Sequence, residues 1–138
     1  MALSRVREYM LCGMNWAVDA DIQNFFDNIQ HKPLLRKLKL LIGDKELVAL
    51  IERWLDAGTV RRGFLSTAKG IPQGAVLSPF LCNVYLTSWD KNMAAKNLPF
   101  VRFADDFLVF SKSQGGAKAA QAYIEKKLKR LGLSLIHI

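Results

Sequence analysis

The sequence predicts an α+β fold, with helices packed against one face of a small antiparallel sheet. Three observations lead there. Residues 16–22 alternate apolar and acidic positions as a strand does, two short apolar-aromatic runs lie between residues 100 and 110, and the stretches around them carry apolar residues at helical spacing.

Residues 3–12 read as the end of a short helix, with Gly13 as its stop. Trp16 to Ile22 is the first strand. Pro33 opens a helix over Leu34 to Ile42 that Gly43 ends. Asp44 caps the next, whose Leu47, Ile51, Trp54 and Leu55 share a face, with Gly58 just past its end. Residues 59–69 form a basic segment around a hairpin. Ser78 and Pro79 supply an N-cap and a first helical residue for a helix reaching about Ala95. Phe100 to Phe103 and Phe107 to Phe110 are strands meeting at Ala104-Asp105-Asp106. A last helix runs from about Ala117 to Leu131, stopped by Gly132, before an apolar tail from Leu133 to Ile138.

Bulk properties narrow the function classes. At 138 residues the chain makes one domain or part of one, and 51% apolar with 23% charged residues is an ordinary globular profile. The net charge of +8 points to an anionic partner, for which nucleic acid is the commonest candidate. Cys12 and Cys82 offer neither a disulfide framework nor a zinc site, and His31 and His137 lack ligand spacing. No apolar run reaches the roughly 18 residues needed to span a bilayer, and no secretory signal is visible, so a cytoplasmic location is expected.

Asp105 and Asp106 are the most informative pair. They stand where strands disfavour Asp and turns favour Gly or Asn. Adjacent carboxylates about 4 Å apart repel by about 1 kcal/mol in water, and by about four times that at an effective dielectric of 20. A hard divalent cation bound by carboxylate oxygens relieves such repulsion; an exposed acidic turn is the bland alternative. Asp21, in another strand and followed by Phe25 and Phe26, would complete a three-carboxylate cluster able to hold two Mg²⁺ ions for in-line phosphoryl transfer. Alternation puts Asp19 on the same strand face, so periodicity leaves the choice between the two open. Gly70-Ile71-Pro72-Gln73-Gly74 adds a loop whose glycines permit close backbone approach to a ligand and whose Gln73 offers donor and acceptor groups.

In this order the three segments resemble the reverse transcriptase family. Asp21 to Asp27 looks like the family's first palm motif, Gly70 to Gly74 with Val76 to Leu86 like its second, and Phe103-Ala104-Asp105-Asp106 like its aromatic-x-Asp-Asp box, with Phe where Tyr is more usual. The long Pro-Gln-Gly to Asn-x-Tyr-Leu stretch looks most like the bacterial group II intron lineage, which includes maturases and the enzymes of CRISPR adaptation, retrons and diversity-generating elements. The resemblance implies an RNA-directed DNA polymerase core: palm, with a helical fingers-side segment over about residues 30–69, and no thumb. It selects Asp21 over Asp19 and implies Asp21, the Ile22 carbonyl, Asp105 and Asp106 as holders of two Mg²⁺ ions, with Mn²⁺ as an alternative. Phe26 would be the gate against a ribose 2′-hydroxyl, with Pro72, Gln73 and Gly74 lining the nucleotide pocket, and Arg61, Arg62 and Lys69 would contact the nucleic-acid backbone.

The implied partners are an RNA template, a DNA or RNA primer and dNTPs, together with intron RNA or CRISPR adaptation proteins, and no membrane. A maturase that binds intron RNA, with polymerisation secondary, is the alternative. An RNA-templated RNA polymerase is disfavoured by Phe26. The resemblance also implies a core incomplete at both ends, inactive or weak by itself, whose last residues Ile136, His137 and Ile138 depart from the polar family pattern.

Overall fold

A computed structural model describes residues 2–60 and 69–137. Its elements run α1 (Ala2–Leu11), β1 (Trp16–Ile22), α2 (Phe25–Asn28), α3 (His31–Ile42), α4 (Lys45–Val60), α5 (Ser78–Ala95), β2 (Phe100–Phe103), β3 (Asp106–Ser111), α6 (Gln114–Lys129) and β4 (Leu135–His137). The class is α+β, as the sequence predicts. Two compact units are present, one of residues 1–23 with 88–138, the other of residues 24–87. No helix among the described residues is long and apolar enough to cross a membrane.

The first unit holds the sheet, ordered β2-β3-β1-β4 with every neighbouring pair antiparallel. Alternation sorts its two faces. Ala20 and Ile22 of β1 and Phe107 and Val109 of β3 are buried, whereas Asp19 and Asp106 on the alternate positions are exposed. Helix α6 packs across β1 and β3, burying Ala117, Ala120, Ile124 and Leu128 at helical spacing. Trp89, 1% exposed, fills the same core with its ring 4.7 Å from that of Phe107 and 5.4 Å from that of Phe100. Helix α6 begins three residues earlier than the sequence suggests. The Ser113 hydroxyl accepts from the Gly116 amide at 3.1 Å and caps the helix, so the Gly115-Gly116 pair lies inside it rather than ahead of it. A Cβ at Gly116 would stand 2.3 Å from the Ser111 hydroxyl, so the helix start is pressed against the end of β3.

In the second unit α3 also starts early, at His31, leaving Pro33 in the first turn, where its missing N–H costs nothing. Gly43 ends it in the left-handed conformation. Asp44 caps α4 as expected, its carboxylate accepting from the amides of Glu46 at 2.9 Å and Leu47 at 3.1 Å. Two details of α4 differ. Ile51 and Leu55 are buried and Trp54 half-buried as expected, but Leu47 is 43% exposed and Val48 takes its place in the core. Gly58 lies within the helix, which continues to Val60; the cost of about 1 kcal/mol for an interior Gly is outweighed there. Thr59 and Val60 thus belong to α4, and residues 61–68 of the expected basic hairpin lie outside the described residues.

Trp89→Ala should lower the unfolding free energy by about 3–5 kcal/mol, since it opens a cavity against two aromatic rings. Leu40→Ala, at an 89% exposed position, should change it by less than about 0.5 kcal/mol. Urea titration of both variants compares them; equal costs would contradict the assigned core.

Candidate catalytic site

The hairpin of β2 and β3 is tighter than its sequence suggests. Phe103 pairs with Asp106, so only Ala104 and Asp105 make the turn, and Asp106 is the first residue of β3. Ala104 stands at φ 55, a left-handed conformation that costs a residue with a Cβ about 1–2 kcal/mol. Something must hold it there. Arg102 does: its Nη1 donates to the Ala104 carbonyl at 2.7 Å, while Nε and Nη2 grip the Asp90 carboxylate of α5 at 2.8 and 2.6 Å. Such two-pronged, charge-assisted bonds are short and directional. The pair is partly enclosed, with side-chain exposures of 12% for Arg102 and 31% for Asp90. Sequence reasoning passed over both residues. The available signal was an Arg inside an aromatic strand, a position that propensity does not explain.

The register of β1 against β3 places Asp21. Partners run from Trp16 with Ser111 to Ala20 with Phe107, and the same ladder extended by one step would set Asp21 opposite Asp106. Residues opposite one another in an antiparallel ladder have Cα atoms about 4.5–5.5 Å apart and point to the same face. Asp19 shares that face but stands opposite Leu108, a full pleat repeat from the turn. Geometry therefore separates the two acids that periodicity left equivalent. The Ile22 side chain is buried, so what this residue can offer a ligand is its main chain.

Electrostatics links the three acids. The Asp105 carboxyl is held above its ordinary range by burial, against a bond from its own backbone, and further by the charges of Asp106 and Asp21. Asp105 feels both other carboxylates, and oxygen donors of this kind suit a hard divalent cation. Among the described residues no three His, Cys, Asp or Glu side chains are drawn into a finished ligand cage. The donor set fits such a cation by the chemistry of its oxygens.

The remaining predicted site residues lie in the second unit. Phe25 is buried with its ring edge-on to Tyr85 at 6.4 Å, and the half-buried Phe26 stands 5.3 Å from Phe25. Main-chain bonds tie the following loop to this segment: the Gly70 amide donates to the Ile29 carbonyl at 2.7 Å, and the Ile71 amide to the Phe26 carbonyl at 2.8 Å. His31, buried, bonds through Nε2 to the Gly70 carbonyl at 2.7 Å, which makes it a structural anchor of the loop. Gly70 is at φ 94, and a Cβ there would meet the Asp27 carbonyl oxygen at 3.3 Å. Pro72 is half-buried, with Gln73 and Gly74 exposed beyond it. The Ser78 hydroxyl donates to the Pro72 carbonyl, so it fastens the loop to the start of α5 as well as standing at the helix start where the sequence puts a cap. Lys69 is exposed, with its ammonium 3.4 Å from the Asn28 side-chain oxygen. Arg61 and Arg62 lie outside the described residues.

A carboxylate-bearing hairpin beside a carboxylate-bearing strand, on a small antiparallel sheet, is the kind of centre that assists phosphoryl transfer with divalent ions. Comparison with known proteins identifies the family. The reverse transcriptase (RNA-dependent DNA polymerase) family matches residues 9–137, and the chain belongs to that family. A Saccharomyces cerevisiae protein named for intron 2 of COX1/OXI3 is 33% identical over 135 residues, covering 96% of this chain and 15% of that protein. The group II intron-encoded protein LtrA of Lactococcus lactis is 38% identical over 91 residues, covering 65% of this chain and 15% of LtrA. These relatives bear out the group II intron resemblance. The apo telomerase of Candida tropicalis has the same fold, with a TM-score of 0.64 at 11% identity over 97% of this chain and 32% of that one. The chain thus spans about a seventh of the length of the two relatives.

Because the Asp105 pKa is raised in the folded state, folding takes up a proton between the ordinary value of 3.8 and the raised one. Stability therefore falls as pH rises through that window, and the full penalty persists above it. Asp105→Asn should raise the melting temperature at pH 7 without divalent ions, and the gain should vanish below about pH 3.8. A melting-temperature series against pH checks this; a variant less stable at pH 7 would contradict it.

Proposed function

We propose that the protein to which this chain belongs is an RNA-directed DNA polymerase, and that the first unit carries its catalytic palm. The observation that carries this reading is the β1–β3 register, whose last pair, Ala20 with Phe107, lies one step from Asp21 and Asp106 beside the strained Asp105 turn, in a member of the reverse transcriptase family. Residues 30–69, within the helical second unit, would be the fingers-side segment.

Asp21, Asp105 and Asp106, with the Ile22 carbonyl, would hold two Mg²⁺ ions, or Mn²⁺, which supply charge neutralisation and activation of a primer 3′-hydroxyl. The chain's own contributions follow from its geometry. The Ala104-Asp105 turn presents its carboxyl group on a pinned backbone, so little reorganisation is needed when charge arrives. Phe26 would set its ring against a ribose 2′-hydroxyl, favouring dNTPs by exclusion. The loop of Pro72, Gln73 and Gly74 would offer main-chain and amide groups to the nucleotide, and its ties to Phe26 and Ile29 would keep gate and loop in step. Arg61, Arg62 and Lys69 would neutralise template or primer phosphates without reading sequence.

The names of the intron-encoded relatives favour a second role, holding intron RNA during splicing. One experiment addresses both. With the whole protein, Asp105→Ala should reduce RNA-templated primer extension by at least about 1,000-fold, as expected for loss of electrostatic stabilisation at the reacting centre. Extension that survives refutes the polymerase reading, and splicing that persists while extension disappears separates the two roles.

A further inference from the structure

The turn that carries Asp105 is held by a side chain that is not itself one of the acids. The backbone at Ala104 adopts a conformation natural to glycine, yet the residue is alanine. Three bonds from one guanidinium converge on the problem. Nη1 holds the Ala104 carbonyl at 2.7 Å, and Nε and Nη2 lock the same planar group onto Asp90 at 2.8 and 2.6 Å. Asp90 lies on α5, one residue beyond Trp89, whose ring is buried against Phe100 and Phe107 of the two hairpin strands. The far end of the strut is therefore rooted in the core, and the near end touches the turn. A lysine could satisfy Asp90 or the carbonyl, but it has no rigid fork with which to bind both in fixed relation.

We infer that Arg102, anchored by Asp90, is a positioning residue that sets the backbone of the Ala104-Asp105 turn and thereby aims the Asp105 and Asp106 carboxylates. The inference rests on the reading of those carboxylates as the reacting acids. It predicts more than stability. An acid displaced by about 1 Å from a reacting centre costs on the order of 100-fold in rate, while nucleotide binding elsewhere is untouched. Loss of the strut should fall on kcat and spare KM for dNTP. A residue that only glued helix to sheet would weaken folding without that split.

The test compares Arg102→Lys, Asp90→Asn and Asp105→Ala in the whole protein, with the two strut variants also made in an Ala104→Gly background. Three quantities are measured: steady-state extension on an RNA template, the melting temperature, and amide hydrogen exchange at residues 104–106 against that of α6. The expected result for Arg102→Lys and Asp90→Asn is a kcat loss of about 10- to 100-fold with KM for dNTP within about twofold. Exchange should quicken at 104–106 and not in α6. The loss should shrink in the Ala104→Gly background, because glycine takes the left-handed turn without being held there. Asp90→Asn keeps the guanidinium, so it remains informative if Arg102→Lys fails to fold.

A kcat within twofold of the parent while Asp105→Ala is inactive overturns the inference and leaves the catalytic reading standing. Exchange that quickens equally in α6, or a loss unchanged by Ala104→Gly, overturns it as well, in favour of a plain structural tie. Activity surviving in Asp105→Ala would sink the catalytic reading instead, and the exchange pattern at the turn would then separately decide whether Arg102 sets its backbone.

Discussion

Antiparallel pairing between β1 and β3 leaves Asp21 almost no choice of position. Five consecutive partners fix the register, and a slip of one residue would send Ala20 and Ile22 from the core to the open face. The same ladder that buries those side chains therefore delivers an acid to the level of the hairpin tip. Packing and charge pull in opposite directions at this point. Hydrophobic burial on one face brings carboxylates to the other, and the proton affinity of Asp105 is raised first by its own burial and then by the charges of Asp106 and Asp21.

The neighbouring turn follows the same logic. A two-residue hairpin places Asp105 and Asp106 in succession, but it demands a left-handed residue that alanine supplies only under constraint. The constraint comes from Arg102 and Asp90, and through Asp90 from a helix rooted by Trp89 in the aromatic core. Strain at the tip, the buried ring and the ion pair are thus one mechanical unit. In the second unit the loop of residues 70–74 shows a comparable design, with His31 and main-chain bonds at Gly70 and Ile71 fastening a positive-φ glycine where a Cβ would crowd the Asp27 carbonyl.

Much of this was legible in the sequence, because its periodic signals are strong. The strand Trp16–Ile22 and the helix Ser78–Ala95 have the bounds that their patterns suggest. The departures have physical causes. Helix α6 starts before its two glycines because Ser113 caps it, and α4 runs through Gly58 because an interior glycine is a modest penalty. The expected face of α4 departs only at Leu47, which Val48 replaces in the core where several apolar positions compete for the same arc. For the candidate site, alternation alone left Asp19 and Asp21 equivalent, since strand period cannot say which rung meets the turn; the ladder can. The pairing of Arg102 with Asp90 was not legible, because an ion pair across twelve residues leaves no periodic trace.

Manganese-induced line broadening in the amide spectrum tests the central claim most directly, because it reports proximity to one bound ion rather than activity. Amides at residue 21 and at residues 105 and 106 should broaden together over the same range of Mn²⁺ concentration, and Asp21→Asn should weaken the effect at 105 and 106. Broadening at the hairpin that is indifferent to Asp21→Asn, or that leaves residue 21 sharp, would mean that the strand and the turn do not share a cation.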